Sequence, residues 1–284
     1  MDNYKQVKRV LWTILVANLV VAGLKVIIGT AIKSAGMTAD GFHSLTDGSS
    51  NIVGLIGIHL ASKPVDEDHP YGHGKFEMMA ALFIAVMLFL MGAKVVIDGI
   101  GRLINPVEPE ITVQSLLILV VTLCVNIFVC IYEHAKGKRL GSKILISDSM
   151  HTRSDIYISI GVLAALAGIR LGLPPVIDPI ASFIVSGFIF HAAYEILADN
   201  GGILLDKAVV DTESIKNIAL SFESVKDVHD IRSRGSEADL YIDMHIMTRP
   251  DMSVEESHEL IHDIEEKLRA DINKSVQLIA HIED

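Results

Sequence analysis

Cysteine is nearly missing from this 284-residue chain: Cys124 and Cys130 are the only two. They stand six apart in one apolar stretch, share no helical face and are expected to be packing residues, so no disulfide framework holds the fold. The only His-Glu-x-x-His sequence, the usual signature of a zinc hydrolase with its glutamate base, is His258-Glu259-Leu260-Ile261-His262 near the C-terminal end, outside the apolar stretches. Basic residues are scarce, 24 Lys+Arg against 35 Asp+Glu, for a net charge of −11. The deficit is local. From Leu205 to Asp284 nine basic residues face nineteen acidic ones, whereas the other 204 residues are close to neutral. An acidic tail repels phosphate backbones and excludes nucleic acid as its partner; cations suit it better.

Apolar residues make up half of the chain, with a mean hydropathy of +0.44. They gather in six blocks near Val7–Thr30, Gly36–Ala61, Phe76–Leu103, Ile111–His134, Ile144–Leu171 and Val176–Asp199. Each has the roughly 20 residues needed to cross a bilayer core of about 30 Å. The first run is too long for the apolar core of a cleavable leader and no small-residue cleavage site follows it, so it is expected to be a retained span. Lys5, Lys8, Arg9, Lys63, Lys75, Lys136, Lys138, Arg139 and Lys143 flank one set of span ends, and only Lys33, Arg102 and Arg170 the other. The bias predicts both termini in the cytoplasm. The expected organisation is a six-helix transmembrane domain, residues 1–204, and a soluble domain, residues 205–284.

The tail changes period. Asp211–Phe222 suits a short capped helix, and Ser224–Arg232 and Asp239–Met247 suit strands joined by a turn at Arg234-Gly235-Ser236. Ser253 with Glu256 three residues on forms a capping box for a helix to Asp271, and Val276–Ile282 suits a last strand. The αββαβ order predicts a small α+β layer, with helices on one face of a three-stranded sheet. So small a domain is marginal alone, and metal or dimerisation is expected to help stabilise it.

Ionisable residues interrupt the apolar blocks, where each costs at least about 2.5 kcal/mol on insertion scales. His43 and Asp47 are four apart in the second block, and His151 and Asp155 repeat the spacing in the fifth. Such pairs share a helix face. With antiparallel spans, both pairs come near the bilayer middle, and two His with two Asp make the closed tetrahedral N/O shell that zinc accepts. Asp66, His69 and His73 put three ligand-type side chains into the second connection, beside Gly72 and Gly74. His229, His245, His258 and His281 are dispersed through the tail, one near each element that could converge, and Glu283 follows closely.

The segments Ala39–Asp47, Asp66–Lys75 and Ser147–Asp155 resemble the second-span, loop and fifth-span motifs of the cation diffusion facilitator family, which includes bacterial zinc exporters. The resemblance covers essentially the whole chain. It implies a transport site of His43, Asp47, His151 and Asp155, and a loop site of Asp66, His69 and His73. In the tail it implies a site of His229, His245, His258 and His281, with Glu283 where relatives often have Asp. It also implies a salt bridge between Lys75 and Asp206 at the centre of a homodimer in the cell (inner) membrane. The family implication is alternating-access export of Zn²⁺ in exchange for protons, with Zn²⁺ both cargo and regulator and no enzymatic step. His at position 43 favours zinc over cadmium, and manganese also fits less well; cobalt, nickel and copper are not separated from zinc by affinity alone. The rivals are a membrane-bound metal sensor without flux, a transporter of another ion such as Co, Cd, Fe or Mn, and an intramembrane metalloenzyme, which the filled four-ligand pattern disfavours.

Overall fold

A computed structural model describes residues 2–31, 48–105, 113–174, 176–236, 240–272 and 275–284. The chain divides into two compact units, Met1–Asn200 and Gly201–Asp284.

The helices of the first part are α1 (Asp2–Ala31), α2 (Ser49–Ala61), α3 (Lys75–Ile104), α4 (Val113–Leu140), α5 (Lys143–Arg170) and α6 (Ile177–Leu204). Segments of α1, α3, α4 and α6 are long and apolar enough to cross a membrane. At 28 residues α5 also has the length, but Asp148, His151, Arg153 and Asp155 lower the hydropathy of its first half. A span of that kind has to face protein. The described helix α2 is the second half of the block expected over Gly36–Ala61, and its first half, with His43 and Asp47, lies outside the described residues.

Large apolar side chains point outwards, among them Trp12, Val16, Phe83, Phe89, Ile184 and Phe188. Small ones line the contacts between helices, as expected where lipid, not water, is the competing solvent. Gly57 is the tightest case: a Cβ there would lie 2.3 Å from the Cβ of Ala80, so α2 and α3 approach to backbone contact. One core joins Leu11 and Ile14 of α1, Ile58 of α2, Ile84 of α3 and Ile144 of α5. A second packs Ala81, Ala85 and Leu88 of α3 against Val185, Ile189 and Ala193 of α6.

The fourth helix outruns its apolar block, which ends near His134. It continues through the basic run to Leu140 because nothing breaks it before Gly141, whose φ of 62° ends the helix in the left-handed region. Glu77 of α3 then anchors the next helix. Its buried carboxylate accepts from Ser142 Oγ at 2.5 Å and from the Ile144 amide at 3.2 Å, meeting donors that the start of α5 would otherwise leave unpaired.

In the second unit α7 (Thr212–Leu220), β1 (Asp227–Gly235), β2 (Leu240–Met247), α8 (Val254–Asp271) and β3 (Val276–Glu283) follow the expected order. Asp211 caps α7 through the Ser214 amide, and the Ser253–Glu256 capping box is formed at α8. The sheet order is β1-β2-β3, with β1 antiparallel and β3 parallel to β2. β1 runs later than expected: Val225 closes a turn onto Phe222, and pairing then continues to Gly235 opposite Leu240. Alternation along β2 sends Leu240, Ile242, Met244 and Ile246 into a core with Ile215 and Ala219 of α7 and Leu260, Ile264 and Leu268 of α8. Both helices therefore cover one face, and Tyr241, Asp243 and His245 occupy the other.

Candidate metal centres

The connection from α2 to α3 folds on itself between Asp66 and His73. Gly72, at φ 84°, returns its amide to the His69 carbonyl at 2.9 Å, a backbone turn that a side chain would strain. Asp66 accepts from the His69 amide at 2.7 Å and meets His69 Nδ1 at 2.9 Å through the same oxygen. Its second oxygen lies 3.3 Å from His73 Nε2. The two imidazoles are 4.3 Å apart at their centroids. The hydrogen bond from His69 holds the Asp66 carboxyl below its ordinary range, so it is ionised and ready to ligate. His73 is buried, and its Nδ1 has no hydrogen-bond partner. All three donors lie within 4.8 Å of one another. A tetrahedral zinc site has ligand edges of about 3.3 Å, so the residues fit an ion with little movement.

In the tail, strand register does the gathering. His229, His245 and His281 pair in sequence across β1, β2 and β3, forming one rung on the helix-free face. Glu283, two residues after His281, shares that face. Its Oε1 lies 2.8 Å from His245 Nδ1 and its Oε2 3.2 Å from His229 Nε2. His281 Nε2 stands 3.9 Å from Oε1, at the margin of the group. His229, His245 and Glu283 form a cluster able to hold a metal ion, two imidazoles and a carboxylate that suit zinc. The expected fourth histidine does not join them. His258 lies exposed on α8, the helix that packs on the opposite side of the sheet, so the sheet stands between it and the cluster in one chain.

Within the helical unit, His151 is 4% exposed and neither ring nitrogen has a hydrogen-bond partner. A buried imidazole normally pairs at least one nitrogen, so both are open for a ligand. Asp155 follows one turn later, half-buried. His43 and Asp47 lie outside the described residues. Lys75 is the first residue of α3, and Asp206 follows α6 in left-handed backbone, with φ 52°.

Three more buried polar groups lie near His151. Asn51 on α2 donates to Asp148 on α5, and Asp148 neighbours Glu133 on α4. All three are at most 2% exposed. The signal for Glu133 was available: a carboxylate inside an apolar block needs a reason to be there.

Residues 11–205 match the cation efflux transmembrane domain, and residues 209–284 match the cytoplasmic domain of cation efflux proteins. The chain belongs to the cation efflux family. Similar proteins include an uncharacterized transporter of Methanocaldococcus jannaschii, 32% identical over 90% of this chain and 91% of that protein. The manganese efflux system protein MneS of Bacillus subtilis is 27% identical over 89% and 87%. Metal tolerance protein 2 of Oryza sativa is 28% identical over 94% of this chain and 76% of its own length. The cation efflux chain is thus a multi-pass membrane transporter of divalent metal cations and not an enzyme. Its tail is the domain through which such proteins pair, so its partner is a second copy of itself.

Proposed function

We propose that this cation efflux protein exports Zn²⁺ from the cytoplasm in exchange for protons by alternating access, through a transport site of His43, Asp47, His151 and Asp155. Both termini lie in the cytoplasm of a cell whose inner membrane holds the homodimer. The observation that carries this reading is His151, buried in α5 with both nitrogens open, one turn before Asp155. Zn²⁺ requires neutral imidazole and ionised carboxylate, so binding it displaces protons, and protons arriving from outside displace it in turn.

In the same reading, Asp66, His69 and His73 form a loop site, and Lys75 and Asp206 pair at the dimer centre. The tail cluster of His229, His245 and Glu283, with His281 at its edge, takes regulatory Zn²⁺, and the paired tails then favour the transport-ready form. His258 acts apart from that cluster within one chain.

Manganese is the second reading, favoured by two relatives named as manganese efflux proteins. Two imidazoles weigh for zinc, since manganese prefers oxygen donors. Proteoliposomes containing a pH dye, exposed in turn to Zn²⁺, Mn²⁺, Co²⁺ and Cd²⁺, test both. Zn²⁺ flux with opposed proton movement, lost in Asp47→Ala and His151→Ala, is expected. Zn²⁺ flux without proton movement discards antiport, and flux retained in both variants discards the site. Absence of any flux leaves a metal sensor.

A further inference from the structure

Four helices send polar side chains into one buried chain of contacts. Asn18 of α1 donates to Asn51 Oδ1 at 3.0 Å, and Asn51 of α2 donates to Asp148 Oδ2 of α5. The Asp148 carboxylate neighbours Glu133 on α4. Glu133 Oε2 also accepts from Thr152 Oγ1 at 3.2 Å. Glu133 is 0% exposed and Asp148 1%. Each nevertheless keeps one oxygen, Glu133 Oε1 and Asp148 Oδ1, without a hydrogen-bond partner. Among the described residues no Lys, Arg or His side chain pairs with either carboxylate.

Two neighbouring buried carboxylates repel each other and have lost their water, and either a proton or a cation held by the pair offsets that cost. Asparagine at 51 supplies neither. It donates one hydrogen bond, fixes the rotation of the Asp148 carboxyl and leaves Oδ1 over. Asn18 fixes Asn51 in turn. The arrangement holds two acidic oxygens in place and leaves both available.

We propose that Glu133 and Asp148 hold a divalent cation at a second station in the membrane domain, apart from the His43–Asp47–His151–Asp155 site. The donors are oxygens only, two carboxylates with the Thr152 hydroxyl beside them, which suits a hard cation such as Mn²⁺. Asn51 and Asn18 are positioning residues. Asp148 precedes His151 by three residues on α5, about 4.5 Å along the axis. The station therefore stands nearly one turn from the level of His151, towards the α4–α5 turn. Its existence does not depend on the transport-site reading; its role as the cytoplasmic approach to that site does.

The test counts bound Mn²⁺ by electron paramagnetic resonance on the full-length protein in detergent, with Asp66→Ala, His229→Ala and His245→Ala removing the loop and tail clusters and Asp155→Ala removing the transport site. One Mn²⁺ per chain is expected to remain in this background and to be lost on adding Glu133→Gln or Asp148→Asn. Asn51→Leu, which keeps both carboxylates, is expected to weaken that Mn²⁺ by about tenfold or more, as loss of an outer-shell partner does; it gives the readout if the carboxyl variants fail to fold. No Mn²⁺ in the background overturns the proposal and leaves the pair sharing a proton. Mn²⁺ unaffected by all three substitutions also overturns it. Flux in the single Asp155→Ala variant tests the transport reading separately, so the two fail independently.

Discussion

His229 and His245 stand directly opposite each other in the β1–β2 ladder, ring centroids 5.2 Å apart, and Glu283 presents a separate carboxylate oxygen to each. A carboxylate held between two imidazoles on the helix-free face of a sheet is a prepared place for a cation. His281 completes the rung but stays farther from the carboxylate.

That geometry ranks the tail histidines. His245→Ala is expected to weaken Zn²⁺ binding at the tail by more than the roughly 10- to 100-fold that loss of an outer-shell partner costs. His281→Ala is expected to weaken it less, and His258→Ala least in a monomeric fraction. Calorimetric titration of each variant, in a background with Asp66→Ala, checks the order.

Asp66 joins both loop histidines, so Asp66→Asn is expected to abolish metal binding at the loop. The native carboxyl sits below its ordinary value of 3.8, chiefly through the His69 hydrogen bond. A depressed folded value means that its contribution to loop order is complete above about pH 4 and lost as pH falls through that lower folded value. Carbon-detected NMR of the labelled Asp66 carboxyl should show a titration midpoint under 3.8 in the metal-free protein. A midpoint at or above it would remove the His69 contact from the account.

Glu77→Ala leaves the Ser142 hydroxyl and the Ile144 amide without their acceptor where both are buried. Stranded donors of this kind cost about 1–3 kcal/mol. Thermal unfolding in detergent should report a lower midpoint than the parent. Glu77→Gln, which keeps an acceptor oxygen, should recover part of the loss.

Glu256 is held below its ordinary value of 4.5 by the backbone and side chain of Ser253 in the capping box of α8. The sign matches that of Asp66: the cap stabilises α8 above about pH 4.5 and releases it as acid protonates Glu256 at a lower pH. Amide exchange at Ser253 should quicken over that range in the native chain. In Glu256→Gln it should be insensitive to pH beyond the intrinsic exchange rate.

Much of this architecture is written in local pattern. Apolar blocks of spanning length mark the helices around Leu11, Ile84 and Ile189, because a bilayer accepts only long runs with few charges. Period-two alternation from Leu240 to Met247 and the Ser253–Glu256 spacing mark the tail elements, because burial of one face and helix capping act over a few residues. The Asp66–His69–His73 group is equally legible, since its three donors lie within one short turn.

What the sequence by itself determined is therefore which segments cross, which alternate and which residues are chemically able to bind metal. Only the tertiary structure decided which of them meet. Register across three strands brought His229, His245 and Glu283 together, and the layer of α8 on the far side of the sheet kept His258 away. Helix packing put Asn51 beside Asp148, 97 residues on, and set Glu133 against it. Periodicity is a property of neighbours along the chain, whereas a binding site depends on the register and packing of segments that the chain connects only at a distance.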